Sequence, residues 1–194
     1  MPSPTERRRD AALAGHTDDE AAARQALGDP DAGTRAVALG ALARLGRLAD
    51  DDLRDALGDP SPAVRSRAVE LAVPATGIDL VPLLRDPDPF LAEQAAWALG
   101  ERTPDPEAVA ALAATTGDHE DPLVREAAVA ALGALGHPDG LPAVLAATTD
   151  KPAVRRRAVL ALAAFDGPEV DAALRRALGD RDRQVRQAAE DLLG

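Results

Sequence analysis

Few residues in this sequence have types and spacings that could carry chemistry. Three of 194 residues are histidine (His16, His119 and His137), and none is cysteine or tyrosine. No thiolate is available as nucleophile or metal ligand, and no disulfide can form. The densest polar cluster is Asp118-His119-Glu120-Asp121, a carboxylate and imidazole set of the kind that ligates metals. Its members are consecutive, whereas ligands that close around a metal come from spacings that converge. We read it as a loop whose acids cap the helix starting near Pro122. Asp50-Asp51-Asp52 offers three carboxylates, but it precedes Leu53 at a helix start, where acids favour the positive end of the helix dipole. Ser3, Ser61 and Ser66 lie in no nucleophile motif. The glycines are dispersed as helix stops, not gathered into a phosphate loop. The sequence predicts no catalytic residue, no metal and no cofactor.

The elements that would position any site come from an internal repeat. Six segments align on an anchor at Arg35, Arg65, Ala92, Arg125, Arg155 and Arg186, at intervals of 30, 27, 33, 30 and 31 residues. Three residues after each anchor stands alanine: Ala38, Ala68, Ala95, Ala128, Ala158 and Ala189. Apolar residues also recur one before the anchor and four and seven after it, which makes one face of an amphipathic helix. Glu190 is the exception, in the last repeat, where that face meets water. Asp-Pro turns precede the helices at Asp29-Pro30, Asp59-Pro60, Asp86-Pro87 and Asp121-Pro122. Their acids cap or close turns, and their prolines stop the preceding helix. A shorter apolar segment lies before each turn, so every repeat is helix A, a turn and helix B.

This pattern predicts one all-α domain of about thirteen helices over residues 1–194. A capping helix (about 1–16) is followed by repeats at about 17–46, 47–75, 76–102, 103–136, 137–166 and 167–194. Apolar residues make up 46% of the chain but only Phe90, Trp97 and Phe165 are aromatic, so the core must be Ala, Leu and Val. The N-terminal stretch is too short for a secretory signal, and no segment approaches a membrane span. A soluble, cytoplasmic monomer is expected. A net charge of −11 opposes nucleic acid and anionic membranes at long range.

The segments Asp59-Pro60-Ser61-Pro62-Ala63-Val64-Arg65 and Asp121-Pro122-Leu123-Val124-Arg125 carry a pattern that resembles the HEAT-like repeats associated with phycobilisome lyases. The resemblance spans roughly residues 18–194. It implies a right-handed α-solenoid with helix B on the concave face, and a structural ladder between the turn aspartate and the helix-B arginine. Here that ladder would use Asp29, Arg35, Asp59, Arg65, Arg125, Arg155, Asp180 and Arg186. It should be weakest at Ala92, which replaces an arginine, and where Asp121 and Asp150 stand closer to their arginines. Some HEAT-like hydroxylases bind iron through several His-Glu pairs. This chain has one such pair, His119-Glu120, so that activity is not carried over.

The outward columns of helix B share no common chemistry, as a recognition surface would not. Trp97 stands out among them, because its register aims it away from the core. There it is either a binding contact, tryptophan being enriched at hot spots, or a filler folded over helix B or against the next repeat. Glu93, Gln94 and Glu101 surround it on its own helix, and Arg67 and Glu70 are expected beside it on the preceding one. Arg156 and Arg157 also point outward. Phe90, beside Leu91, is read as core or as a staple at the helix start. The sequence therefore predicts a non-catalytic scaffold that binds a protein or peptide on its helix-B face. The alternatives are a bilin-lyase-like or DNA-glycosylase-like enzyme and a purely structural spacer.

Overall fold

A computed structural model describes residues 2–194. The chain divides into two compact units, residues 1–79 and 80–194. The first unit holds α1 (Pro4–Ala14), α2 (Glu20–Ala26), α3 (Ala32–Leu45), α4 (Asp50–Leu57) and α5 (Pro62–Ala72). The second begins with a 3-10 turn, Val81–Arg85, and continues through α6 (Pro89–Gly100), α7 (Pro106–Asp118), α8 (Pro122–Leu135), α9 (Leu141–Ala147), α10 (Pro152–Ala161), α11 (Pro168–Ala177) and α12 (Arg183–Leu193). No strand occurs among the described residues, and no helix among them is long and apolar enough to cross a membrane.

Local chemistry sets the boundaries. Asp31, Asp88, Asp105, Asp121 and Asp182 each cap a helix by accepting a backbone N–H from its first turn. Prolines occupy the first turn of α5, α6, α7, α8 and α10, where no N–H is needed. Gly46 and Gly136 end α3 and α8 with φ of 67° and 59°, a left-handed conformation that glycine adopts without a steric penalty. Thirteen helices were expected, and the first helix of repeat three departs from that. Val81–Arg85 is only five residues long, holds Pro82 in its first turn and runs into Asp86-Pro87, so it winds as a 3-10 turn.

In each unit the B helices pack side by side, α1 on α3 and α3 on α5 in the first, and α6, α8, α10 and α12 in succession in the second. The A elements form a second row, with α2 against α1 and α3, α4 against α5, and α7 against α8 and α9. The repeated alanine explains how closely the B helices approach. Ala38, Ala68, Ala95, Ala128, Ala158 and Ala189 are all completely buried, and a larger side chain there would push the helices apart. The residue before each anchor is buried too. At α3 it is Thr34, whose hydroxyl donates to Asp31 Oδ2 at 2.9 Å, so the buried polar group is satisfied. Glu190 and Leu193 at the last helix are exposed.

Candidate partner-binding groove

The scaffold beneath the site is a ladder of arginines. Arg35 donates from Nε and Nη2 to both carboxylate oxygens of Asp59, at 2.8 and 2.7 Å. Arg125 binds Asp150 at 2.7 and 2.8 Å, and Arg155 binds Asp180 at 2.9 and 2.8 Å. Each arginine also donates Nη1 to a carbonyl of its own turn: Asp29 for Arg35, His119 for Arg125 and Asp150 for Arg155. The fork geometry of guanidinium suits this double task. In return, the guanidiniums of Arg35, Arg125 and Arg155 hold the carboxyls of Asp59, Asp150 and Asp180 below the usual range. Arg65 and Arg186 donate Nη1 to the carbonyls of Asp59 and Asp180.

Two features of this ladder were not legible beforehand. First, α1 is itself a B-type helix, since Arg7 donates to Asp29 at 2.7 Å and to the Pro2 carbonyl at 2.7 Å. Ala11 and Ala14, four and seven residues later, were the available signal, but Asp10 stands where the repeat has alanine. Second, the turns of repeats four and five do not weaken the ladder alike. Asp150 takes both bonds of Arg125 although it sits one residue nearer its own arginine. The rung lost is the one between α6 and α8, where donor and acceptor are absent together. Ala92 replaces the arginine, and His119 stands six residues before Arg125, where the other turns carry aspartate. His119 keeps the aspartate's local role, accepting the Asp121 N–H at Nδ1 over 3.1 Å. Asp29, Asp59, Asp86 and Asp180 do the same for the residue two further on, each at 2.8 Å.

On the outward face of the second unit, α6 and α8 lie close together. A Cβ on Gly100 would sit 2.8 Å from the Ala131 Cα, and one on Gly133 would sit 2.7 Å from the Ala161 Cβ and 3.0 Å from its Cα. Gly100 is the last residue of α6, where a helix-ending glycine was expected, and it also permits the close approach. Above this contact runs a groove of about 500 Å3. One wall is the α6 stripe of Phe90, Glu93, Gln94, Trp97 and Glu101, and the other is the α8 stripe of Leu123, Glu126, Ala127, Ala130 and Ala134, with Arg157 entering from α10. Spacings of three, four and seven residues place each set on one helix face. Trp97 is 51% exposed, Phe90 60% and Leu123 57%. Phe90 is therefore not core. It follows Pro89 in the first turn of α6 and shares a stripe with Trp97 seven residues on.

The charged neighbours are unevenly satisfied. Arg157 Nη2 donates to Glu126 Oε1 at 3.4 Å. Gln94 Oε1 is buried with no hydrogen-bond partner, as are the Nε atoms of Arg156 and Arg157. Arg156 lies outside the groove and donates to Gln184 at 3.3 Å. Arg67 and Glu70, expected near Trp97, are paired with each other at 2.7 Å in the first unit. Glu126 was read as outward but not as part of a site, and Leu123 and Phe90 were not expected in one, although their spacing matches the stripes just described. Among the described residues, no three His, Asp or Glu side chains gather to hold a metal.

The family model for HEAT repeats matches residues 79–153 and 118–194, which together include all of the second unit. No curated protein matches the sequence significantly. Among solved structures, human deoxyhypusine hydroxylase, determined in complex with glycerol, is 23% identical with a TM-score of 0.51, over 98% of this chain and 79% of that one. A designed armadillo repeat protein in complex with the peptide (KR)4 is 17% identical with a TM-score of 0.56, over 97% of each chain. At such identities the likeness is one of fold. Because the family model covers more than half of its length, the chain belongs to the family of HEAT repeats.

Proposed function

We propose that this chain is a non-catalytic scaffold that binds a peptide segment of a partner protein in the groove between α6 and α8. The observation that carries the reading is where exposed apolar side chains collect. Phe90, Trp97, Leu123 and Leu160 are four of the seven large hydrophobic residues exposed among the described residues, and all four lie along the outward face of α6, α8 and α10. Such a gathering above an alanine floor marks an interaction site, whereas scattered single residues would not. The fold does not choose the function, because it serves both an enzyme and a designed peptide binder among the similar structures. The surface favours binding. The absence of cysteine is compatible with a cytoplasmic location, and we read the chain as monomeric.

Panning a displayed library of random dodecapeptides on the protein tests this. Selected peptides should bind the wild type and lose about thirtyfold in affinity with Trp97→Ala, the ~2 kcal/mol of a hot-spot residue. The Trp97→Ala protein should melt like the wild type. If binders tolerate both Trp97→Ala and Leu123→Ser, the groove is not the site. Sedimentation velocity covers the other occupant, since a dimer that Trp97→Ala dissolves would assign the groove to a second copy of the chain.

A further inference from the structure

We propose that the groove takes an arginine side chain from its partner, in the place that the chain's own Arg157 fills one repeat later; this rests on the groove reading above. The repeat itself supplies the reasoning. The residue two after the anchor on one B helix reaches back over the B helix before it. Arg67 of α5 does so, its guanidinium lying over Gly40 of α3, 2.8 Å from where a Cβ would stand. Arg157 of α10 does so as well, reaching Glu126 of α8 at 3.4 Å. On α8 the equivalent residue is Ala127, too short to reach back over α6, and Arg157, which also lines the groove, ends on Glu126.

What Ala127 leaves behind is a set of acceptors. Glu93 occupies on α6 the position that Glu126 occupies on α8, one residue after the anchor. Among the described residues neither Glu93 nor Glu101 forms an ion pair or side-chain hydrogen bond, in contrast to the partnered Glu126, and Gln94 Oε1 is buried and unbonded. Trp97 stands between the two carboxylates, four residues from each, with half its surface exposed. A cation over the indole face is attracted by the ring quadrupole, and two flanking carboxylates add to that attraction. Guanidinium fits better than ammonium, because it can stack flat on Trp97 while its fork reaches Glu93. Phe90 and Leu123, at the other end of the two stripes, would hold an apolar neighbour of that arginine.

Trp97 is the only tryptophan and tyrosine is absent, so intrinsic fluorescence reports this site alone. The probe is acetyl-Leu-Arg-Leu-amide, compared with the same tripeptide carrying neutral citrulline or lysine. The arginine peptide should change Trp97 emission saturably, with citrulline about tenfold weaker, as expected for losing a charge-assisted hydrogen bond and a cation–π contact. Glu93→Gln should weaken the arginine peptide by about the same factor. Ala127→Arg, which fills the place in cis, should abolish binding while leaving the thermal melt unchanged. If Ala127→Arg fails to fold, Glu93→Gln still decides. Equal binding of the arginine and citrulline peptides overturns the proposal and leaves an apolar groove standing. An unaltered affinity in Glu93→Gln overturns it too. No saturable change with any peptide at millimolar concentration also overturns it, and the library panning then judges the groove reading by itself.

Discussion

The outward face of α3 in the first unit and that of α6 and α8 in the second are built on one repeat and finished in opposite ways. Over α3 the chain lays its own arginines. Arg8 covers Gly33 and pairs with Asp31 at 3.0 Å, and Arg67 covers Gly40 and pairs with Glu70 at 2.7 Å. Over α6 no arginine is laid, since Arg157 enters the groove only as far as Glu126 of α8. The backbones close up through Gly100 and Ala131, and aromatic and aliphatic side chains stay exposed above the contact. One face is saturated by the chain's own cations, and the other keeps its apolar and acidic groups for something else. Core columns cannot vary without disturbing the stack, so, apart from the rung lost at Ala92 and His119, the difference between the units lies in the columns that face out.

The largest effect should come from the part the units share. If both rest on the same ladder, then Arg35→Met and Arg155→Met should cost about the same, roughly 2–3 kcal/mol each, because each strands a half-buried carboxylate. Arg155 is only 5% exposed, so its loss should be the greater of the two. Urea denaturation measures both. A negligible cost at Arg35 would break the comparison at its base, since the first unit would then stand without its ladder.

Next come the close approaches. Gly133→Ala and Gly100→Ala should each destabilise by about 1 kcal/mol, with overpacking outweighing the gain in helix propensity. The new Cβ would meet Ala161 or Ala131 at the backbone, and backbone cannot swing aside. Melting temperatures that rise for both variants would show that α6, α8 and α10 can separate without cost.

Acid should then distinguish the junctions. The arginines hold Asp59, Asp150 and Asp180 below the usual carboxylate pKa. A group depressed on folding stabilises the protein above its unfolded pKa, about 3.9 for aspartate. That stabilisation is lost as pH falls further, through the folded value. Asp31 should hold longest in the first unit, because Arg8 and Thr34 lower it to about 2. The α6–α8 junction has no such rung, with Ala92 and His119 at the two positions. Hydrogen exchange at pH 3 against pH 6 should therefore show protection falling more in α10 than in α6. Equal loss would mean that the missing rung has another acid-sensitive replacement.

The sequence revealed the parts of this molecule that repeat. Six alanines in one register gave the B helices, and all six are buried. Helix A of repeat three was legible as a segment but not as a 3-10 turn, because proline and the five-residue length act on winding and not on apolar spacing. The register of Trp97 aimed it away from the core but left open whether it lay exposed or folded over its own helix, and it is 51% exposed. Phe90 was misplaced because an aromatic beside Leu91 at a helix start looks like core, and only its stripe with Trp97 and Leu123 shows otherwise. Arg7 was missed because Asp10 breaks the alanine column in α1. The groove needed coordinates, since it depends on how far two helices approach and not on either helix alone.

The smallest effect should also have the opposite sign. Gly40 and Gly133 are both helical glycines that a neighbour crowds, and to sequence reasoning they are alike. At Gly40 the crowding atom is the end of Arg67, 2.8 Å from the hypothetical Cβ. A long side chain can rotate away while keeping Glu70, which lies three residues along its own helix. Gly40→Ala should then stabilise the first unit by about 0.5–1 kcal/mol, through the conformational entropy glycine otherwise loses in a helix. The same substitution should therefore raise the melting temperature at residue 40 and lower it at residue 133. If Gly40→Ala is instead as harmful as Gly133→Ala, then Arg67 is fixed in place and the first unit's face is as rigid as the second's.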